Sequence, residues 1–579
     1  MRKQRENTGA ALAASVFLAL LFGIAVYKTM GFVYTIADDI IMRDIASGAF
    51  TGTPDGHLIF VRYVLGFLLS CCYRLVQTVD WYGFLMAGVV FLALAAVLYR
   101  GFSEDRSLRW KAVYAGTAMG VFGCAMIFHA AQFEWTVSAA AAGASALYLY
   151  ATAREESRGK QTAEGIFIWL LLFLTYFIRE NVFMMVLPGF GITFLWKFVH
   201  RKEKSFCFDF KKLILPAAVF GSLALAAVAE HQAYQGEGWR EFQAFQSARA
   251  DVYDYYGVPS YEAAPEIFDA MGVDALDMRC LRHYALYLVD GMDAELMEKI
   301  DAESQRQSGR QAGLKTRIKN GILLAAEQAS DSEYFTASIP MLVFLAGALF
   351  LSIRRQKKAL LPLLLFLAEE GALWLYLGFG GRLPERVAFS MHLITLAGTA
   401  ASFYRLWLQE EKEKEPGTGR NAVVLALLVC FLAAAAFQWQ SSAASNQEKL
   451  AADESYQLFK QKCRENPENL YFIETFTAEP VGGARVSTYS PPGINNCLTL
   501  GDWYSTSPLD EERFEALGIK NVEQTILENP NAYLVVKDAE DPGFLADYFE
   551  TRYSGCTLVS AGVEAVGGRN YFLYQISRN

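Results

Sequence analysis

Two adjacent aspartates, Asp38 and Asp39, follow the first hydrophobic segment, in the stretch YTIADDIIMRDIASGAFTGTPDGHLIFVRY. Carboxylates beside an apolar segment must be solvated, paired, hydrogen-bonded or bound to a cation. A carboxylate with a tuned pKa can take a proton from a hydroxyl group as a general base, and a pair can hold a divalent cation. The simpler interpretation is that Asp38 caps the short helix DDIIMRDIAS, with Asp39 in its first turn. Taken alone, the pair favours this simpler interpretation.

Three arginines are candidates for binding phosphate. They are Arg179 in FIREN, and Arg382 and Arg386 in GGRLPERV. A guanidinium fork matches phosphate oxygens in a bidentate geometry. The alternative is that these arginines pair with their neighbours Glu180 and Glu385. The sequence leaves both interpretations open.

Two further groups are candidates with a structural alternative beside each. Glu369 and Glu370 lie inside the apolar run LLPLLLFLAEEGALWLYLGF, where a carboxylate is functional if it faces a cavity. The alternative is an ion pair with one of the three arginines. The stretch from Tyr234 to Tyr256 mixes aromatic rings with arginines and acids, which suits a sugar surface but is more typical of plain packing.

Hydropathy indicates the elements that must position these residues. The chain has 579 residues, of which 53% are hydrophobic, and the apolar residues come in long runs. A bilayer-spanning helix needs roughly 20 mostly apolar residues, and lipid leaves the backbone no partner but itself. A soluble core hides one or two such runs but hardly ten. The hydrophobic segments are 10–33, 58–79, 82–99, 112–130, 135–152, 164–180, 182–199, 213–230, 339–353, 359–377, 387–405 and 421–439.

The positive charges predict the topology. Six basic linkers, beginning with MRKQR, hold 24 Lys or Arg, whereas the short linkers between them hold three. Lys and Arg in short loops mark the cytoplasmic side. All later basic linkers fall on the cytoplasmic side only if one of the hydrophobic segments does not cross the membrane. The best candidate is 58–79, because it carries Arg62 and Arg74, and a charge within a span is costly. We therefore predict a cytoplasmic N-terminus, about eleven spans, and an interfacial helix at 58–79; the alternative is a tilted span.

The prediction divides the chain into two domains. Residues 1–439 form the transmembrane domain, with an outer loop at 34–80 and an outer helical loop at 231–338. Residues 440–579 form an extracytoplasmic α/β domain, with strands at LYFIETFT and NAYLVVK, a helix at DPGFLADYFETRY and a terminal hairpin around Gly567–Gly568. Cys463, Cys497 and Cys556 fall in that domain, and whether two of them pair stays open.

Several function classes are excluded. No Gly-rich nucleotide loop is present, which argues against a cytoplasmic nucleotide-sugar site. The net charge of −9 argues against a nucleic-acid partner. No CxxC spacing predicts a metal, so we assign no metal ligands.

The layout resembles the GT-C class of membrane glycosyltransferases. In that class a cytoplasmic N-terminus leads through the first span to an outer loop bearing an acidic pair, which Asp38 and Asp39 match in position and type. The segment Leu58–Val79 resembles the juxtamembrane helices of the class. The stretches ADDIIMRDIASGAFTG and GGRLPERV also resemble uncharacterised multispan proteins of Gram-positive bacteria. The nearest counterpart of a second acidic motif is Phe133–Glu134, so the resemblance implies no certain cofactor and leaves a divalent cation open.

The resemblance implies a reaction and roles. The donor would be a sugar on a polyprenyl phosphate, the acceptor an envelope glycan, lipid or protein, and the place the outer face of the cell membrane. Asp38, or else Asp39, would be the general base, and Arg179, Arg382 and Arg386 would neutralise the leaving phosphate. His57, Arg62 and Glu180 complete the predicted substrate-binding set.

Two other function classes fit the same sequence. A lipid or polysaccharide transporter would use the arginines and Glu369–Glu370 as a path. A non-catalytic envelope assembly protein would tolerate alanine at the acidic pair but not loss of residues 440–579.

Overall fold

The computed structural model describes residues 2–153, 158–199, 214–308, 314–329, 332–413, 418–478, 485–486 and 494–578. The basic linkers predicted near 154–160, 197–212 and 405–420 lie partly outside these described residues.

The first half of the chain is helical, and each predicted hydrophobic segment within it forms a helix. The helices are α1 (Arg2–Met30), α2 (Ala37–Ser47), α3 (Tyr63–Leu75), α4 (Trp81–Phe102), α5 (Leu108–Ala131), α6 (Trp135–Thr152), α7 (Arg158–Ile178), α8 (Glu180–Val199) and α9 (Ile214–Ala233).

The second half continues with a helical insert, four more apolar helices and a C-terminal domain. The helices are α10 (Glu237–Ala250), α11 (Pro265–Met271), α12 (Ala275–Arg282), α13 (Ala294–Gln307), α14 (Leu314–Ala329), α15 (Ser332–Arg355), α16 (Leu360–Gly380), α17 (Glu385–Glu413), α18 (Thr418–Glu465), α19 (Thr475–Ala478), α20 (Pro508–Ala516), α21 (Val522–Glu528) and α22 (Phe544–Arg552).

The polytopic helical membrane architecture is confirmed. Six helices among the described residues are long and apolar enough to cross a membrane. The central helix is α6, whose alanine-rich sequence lets α4, α7, α8 and α17 pack closely around it. The six candidate spans are Gly9–Met30, Trp81–Phe102, Leu108–Ala131, Lys357–Gly380, Glu385–Leu408 and Leu425–Glu465, and shorter apolar helices lie at Tyr63–Leu75, Ala163–Ile178 and Ser338–Arg354.

The segment predicted to lie along the membrane forms the short helix α3. Its 13 residues extend roughly 20 Å at 1.5 Å per residue, whereas the hydrocarbon core of a bilayer is about 30 Å thick. Gly66 of α3 packs directly on the loop before it, where the Gly56 carbonyl oxygen occupies the place that a Cβ of residue 66 would take. The length of α3 fits an interfacial helix better than a span.

A two-stranded parallel sheet joins two loops at one end of the bundle. Strand β1 (Val33–Tyr34) pairs with β2 (Gln132–Phe133), with Val33 opposite Gln132 and Tyr34 opposite Phe133. Because β1 leads into α2 and β2 leads into α6, this pairing sets the first turns of those two helices side by side.

The predicted α/β C-terminal domain is confirmed. The strands are β3 (Leu470–Ile473), β4 (Cys497–Thr499), β5 (Ala532–Lys537), β6 (Cys556–Val566) and β7 (Arg569–Arg578), in the order β4-β3-β5-β7-β6. The first three run parallel and the last two form the predicted antiparallel hairpin. Gly567 and Gly568 turn that hairpin with φ of 56° and 78°, values that favour glycine.

The helical insert and the C-terminal domain share one hydrophobic core. Phe245, Met278 and Leu286 of the insert are buried together with Phe472 and Leu534 of the sheet. The two soluble parts, separated by more than a hundred residues of sequence, therefore pack as one body at the same end of the bundle.

The last apolar helix continues without a break into the C-terminal domain. Helix α18 has 48 residues, about 72 Å at 1.5 Å per residue. C-terminal to the apolar part of α18, Asn446 donates to the carbonyl oxygens of Met30 and Gly31, at 3.3 and 3.2 Å. Lys449 contacts the side chain of Gln132. Helix α18 thus fastens the β1–β2 sheet to the C-terminal domain.

Candidate functional site

The acidic pair begins helix α2, but Asp38 does not cap it. The N-cap residue is Ile36, which has an extended backbone and makes no side-chain cap bond, and both aspartates lie in the first turn. The capping interpretation of Asp38 is therefore wrong. Negative charge is favoured at this position by the helix dipole.

The two aspartates have different surroundings. Asp39 is fully buried and accepts a hydrogen bond from Tyr82 Oη at 2.6 Å. Burial and the neighbouring Glu134 raise the pKa of Asp39 well above its usual range. Asp38 is only half-buried. Of the pair, Asp38 is the carboxylate that a ligand can reach.

Glu134 joins the aspartates from the other strand of the β1–β2 sheet. It caps α6 by accepting from the Val137 amide at 2.9 Å, and its carboxylate lies 3.7 Å from Arg386 Nε. Burial raises the pKa of Glu134, while Arg386 lowers it. We call Asp38, Asp39 and Glu134 the acidic cluster.

The charges of three arginines act on Asp38 without forming an ion pair with it among the described residues. Burial raises the pKa of Asp38, and Arg386, Arg249 and Arg179 lower it, in that order of strength. Arg179 lies over the Trp135 ring, 3.9 Å from its centroid, and burial lowers its own pKa to about 10. We call Arg179, Arg249 and Arg386 the arginine group. Its members come from the α7–α8 junction, the insert and α17, so three distant segments converge on one carboxylate.

Arg382, the remaining arginine predicted from the sequence, lies beside the arginine group and has partners of its own. Arg382 Nη2 lies 3.2 Å from Asp254 Oδ1, and its guanidinium lies over the Tyr255 ring at 5.2 Å. Asp254 also acts on Asp38, whose pKa it raises. The predicted pairing of the arginines with Glu180 and Glu385 is not what the structure shows, since Arg386 meets Glu134 and Arg382 meets Asp254.

A loop of the C-terminal domain reaches the acidic cluster. Gly501 packs so tightly on the backbone of Tyr284 and Leu286 that a Cβ would lie 2.4 Å from the Tyr284 carbonyl oxygen. The next residue, Asp502, has its pKa raised to about 7 by burial and by the charge of Asp38, while Arg249 lowers it. The C-terminal domain therefore contributes a carboxyl group to the site.

Aromatic rings line the space between these charges. Phe60 packs against Trp135 and Trp503, with centroids 5.4 and 4.6 Å away. The indole Nε1 atoms of both tryptophans are buried and have no hydrogen-bond partner among the described residues. Each is a donor that a bound oxygen could satisfy.

Three of the predicted binding residues lie in separate clusters. His57 Nδ1 is 2.7 Å from Asp55 Oδ1, and its ring stacks on Trp239 at 4.5 Å. Arg62 forms an ion pair with Glu180 and lies over the Tyr176 ring at 5.3 Å. These contacts join α3 to the ends of α7, α8 and α9, so His57, Arg62 and Glu180 support the fold around the site.

One of the two intramembrane acids has a partner that the sequence did not indicate. Glu370 Oε1 lies 2.7 Å from His392 Nδ1, between α16 and α17. The alternative of a pair with an arginine is therefore wrong for Glu370. No group of three or more His, Cys, Asp or Glu side chains within the described ranges is arranged to hold a metal ion.

Two functional candidates were missed from the sequence and two were undervalued. Asp502 and Tyr82 carried no local signal, although GDWYS places an acid between a glycine and aromatic rings. The sequence identifies Glu134 only as the nearest counterpart of a second acidic motif, and Arg249 only as part of the aromatic stretch. All four act on Asp38 or Asp39, by a hydrogen bond or by charge, from positions distant in sequence.

Comparisons with known proteins find only remote similarity. No protein-family model matches the sequence, and neither does any curated protein. The chain is similar to the crystal structure of ArnT from Cupriavidus metallidurans in the apo state, with a TM-score of 0.38 and 11% identity over 97% of this chain and 98% of that one. ArnT from the same organism bound to undecaprenyl phosphate gives 0.36 and 12%, over 97% of each chain. These superpositions are loose, and the function proposed next rests on the side chains of this protein.

Proposed function

We propose that this protein transfers a glycosyl group from a polyprenyl-phosphate-linked sugar to an acceptor hydroxyl, with Asp38 as general base. The observation that carries the proposal is that Arg386 beside Glu134 and Arg179 over Trp135 lie close enough to the half-buried Asp38 for their charges, with that of Arg249, to lower its pKa. A lone carboxylate at the end of a helix bundle has many structural uses. A reachable carboxylate facing three guanidinium groups fits an acid–base residue beside a phosphate.

The reaction divides between these groups. The acceptor hydroxyl gives its proton to Asp38, and its oxygen attacks the anomeric carbon of the donor. The bond from that carbon to the phosphate oxygen breaks, and polyprenyl phosphate leaves. Arg386 and Arg179 hold the phosphate as its negative charge increases, and donors fixed in advance are worth most in a partly buried site.

The buried acids position the base. Asp39 is held by Tyr82 and Glu134 by the Val137 amide, so neither carboxylate is free to move toward a substrate. Burial raises the pKa of both acids, which disfavours their charged forms and so reduces their competition with a phosphate for the arginine group.

The proposed function includes an acceptor and a side of the membrane. The acceptor is an envelope glycan, lipid or protein on the outer face of the cell membrane, and the polyprenyl tail stays in the bilayer while its phosphate stands at the interface. The position of Asp38 at the end of the apolar bundle supports this arrangement, because the base must meet the donor head group where the bilayer ends.

The first test is genetic. A strain lacking the gene should lose a glycosyl substituent from its envelope, measured by sugar analysis, and the wild-type gene should restore it. Asp38→Asn should restore less than about 1% of it, since a general base contributes 10²–10⁴-fold, while Asp105→Asn at an exposed site should restore it fully. Full restoration by Asp38→Asn at normal protein levels would refute the proposal, and tolerance of alanine there would favour an assembly role.

The second test separates phosphate binding from chemistry. Purified protein is titrated with undecaprenyl phosphate, and Arg386→Gln should weaken binding about tenfold or more, as expected for a lost charge-assisted hydrogen bond. Asp38→Asn should bind at least as tightly as wild type, because it removes a negative charge near the phosphate. Arg109→Gln, at an exposed arginine in the first turn of α5, is the control and should bind normally.

A further inference from the structure

A small polar cavity lies between helix α2 and the C-terminal domain, next to the acidic cluster. Its volume is about 70 Å³, several times what one water molecule requires. Ile40, Ile41 and Asp44 of α2 form one wall, and residues of α18, β4 and the loop around Asp502 form the other.

Lys460 of α18 lines this cavity with its ammonium. The residue is 8% exposed, and its Nζ lies over the Tyr456 ring, 4.6 Å from the centroid. Among the described residues this ammonium has no hydrogen bond or ion pair, although its charge acts on the Cys497 thiol. A buried charge without such partners is costly, so the cavity presents a cation that a ligand oxygen would stabilise.

Arg513 of α20 supplies a second cation to the same cavity. It is 5% exposed, lies over the Phe50 ring at 4.7 Å, and donates from Nη2 to the Cys497 carbonyl oxygen at 3.3 Å. Its Nε is buried and finds no hydrogen-bond acceptor among the residues described. The two cations therefore keep unused donors at the cavity wall.

The carboxylates of the cavity are engaged elsewhere. Asp453 accepts from Gln457 Nε2 at 2.9 Å and from the Arg485 amide at 3.1 Å. Asp44 pairs with Arg43 at 2.8 Å. These two acids already have partners, whereas Arg513 is partly balanced by Asp510 and by a hydrogen bond with Tyr504. Lys460 is therefore the cation of the cavity with the greater need of an anionic ligand.

We propose that this cavity binds an anionic group, a carboxylate or a phosphate, on the acceptor molecule, with Lys460 and Arg513 as its ligands. The word acceptor rests on the proposed function; the anion site itself does not. Asp44 lies six residues after Asp38 on α2, about 9 Å along the helix axis. The anion would therefore be held a short distance from the acceptor hydroxyl that Asp38 deprotonates. Asp502 lines the cavity and acts on Asp38, so it would lie between the anion and that hydroxyl.

The test is calorimetric titration of the purified full-length protein with three probes: glucuronate, glycerol 3-phosphate and glucose. At least one anionic probe should bind ten times more tightly than glucose. Binding of glucuronate would indicate an acidic sugar, and binding of glycerol 3-phosphate a polyol phosphate. If neither anion binds more tightly than glucose, the cavity holds only water and the proposal is wrong.

Matched variants decide whether binding occurs at this cavity. Lys460→Met keeps most of the side-chain stem and should weaken binding of the anionic probe at least tenfold, and Lys460→Arg should retain most of it. Lys520→Met, at an exposed lysine of the same domain, should bind as wild type. Unchanged binding by a folded Lys460→Met variant, checked by its unfolding midpoint, would overturn the assignment.

The outcome is independent of the transfer reaction. Asp38→Asn should still bind the anionic probe, and Lys460→Met should still bind undecaprenyl phosphate. A failure of the anion site therefore differs from a failure of the proposed function, in which Asp38→Asn stays active.

Discussion

At the scale of single residues, the protonation state of Asp38 controls the proposed chemistry. Burial raises its pKa, and the arginine group opposes that effect. A general base works only when ionised, and a raised pKa makes the ionised carboxylate a stronger base. The arginines thus have two roles, since the charge that holds a phosphate also keeps the base ionised.

A pH profile tests this coupling. The transfer rate should rise with pH as Asp38 loses its proton. The acid limb of the pH profile should therefore lie above the ordinary pKa of an aspartate, which is about 3.9. Arg386→Gln removes the strongest charge that lowers this pKa, so the acid limb of its kcat/KM profile should move to higher pH. Arg109→Gln should leave it in place, and an unshifted limb in Arg386→Gln would contradict the coupling.

Asp502 should affect stability in the opposite direction from an ordinary salt-bridged acid. Its pKa of about 7 in the fold exceeds the value near 3.9 of the unfolded chain. At pH values between these two pKa values the folded protein binds more protons than the unfolded chain. The free energy of unfolding that Asp502 contributes at low pH is therefore lost as the pH rises through 7. Asp502→Asn should therefore raise the unfolding midpoint more at pH 8 than at pH 4.5. The exposed Glu511→Gln should show no such difference, and an equal gain at both pH values would refute the assignment.

The residues that sequence reasoning found are those with a local signal. Asp38, Arg179 and Arg386 stand at the edges of apolar runs, where a charge is conspicuous. Arg249 and Asp502 lie outside the apolar runs, in segments that mix charged and aromatic residues, so a charge there is not conspicuous. They belong to the site only because the insert and the C-terminal domain fold over α2, which no local pattern encodes.

At the scale of elements, helix α3 depends on a close backbone contact. A Cβ on Gly66 would lie 2.1 Å from the Gly56 carbonyl oxygen, and backbone cannot yield as a flexible side chain can. Gly66→Ala should therefore push α3 off its loop, lower the unfolding midpoint by several degrees and reduce transfer.

A second helical glycine provides the matched control. Gly88 of α4 has nothing within 4 Å of its Cβ position. Gly88→Ala should keep the midpoint or raise it slightly, because alanine favours a helix over glycine by about 1 kcal/mol. If both variants unfold alike, the contact between Gly56 and Gly66 does not hold α3 in place.

Helices were more predictable than the small sheet between them. Every apolar run became a helix because, away from water, the backbone must bond within itself. The β1–β2 sheet has two residues per strand, too few for any alternation to show. Yet this sheet sets Glu134 beside Asp39, so the part of the site that was hardest to predict depends on the shortest elements.

At the scale of the whole molecule, the orientation in the membrane stays a prediction of the charge count. Alkaline phosphatase fused after the last residue should be active, and green fluorescent protein at the same place should be dark, because the C-terminal domain is predicted outside. A fluorescent, phosphatase-inactive fusion would reverse the topology. It would also remove the outer location from the proposed function.

The association of the two soluble parts could not be read from the sequence. Each was predicted separately, as an acidic helical loop and as an α/β domain, and each prediction concerned local periodicity. Their shared core joins Phe245 and Met278 to Phe472 and Leu534, which are far apart along the chain. That association is what places Asp502 near Asp38.

The unbroken helix α18 gives this arrangement a mechanical property. Of its length of about 72 Å, some 30 Å matches a hydrocarbon core, and the rest carries the sheet and Lys460. A continuous helix held in the bilayer at one end and in the C-terminal sheet at the other couples the height of that domain to membrane thickness. A thicker bilayer would draw the helix inward and bring the domain closer to α2, whereas a thinner one would move it away. Under the proposed function, the lipid composition of the membrane would in this way set the space above Asp38, and with it the rate of transfer.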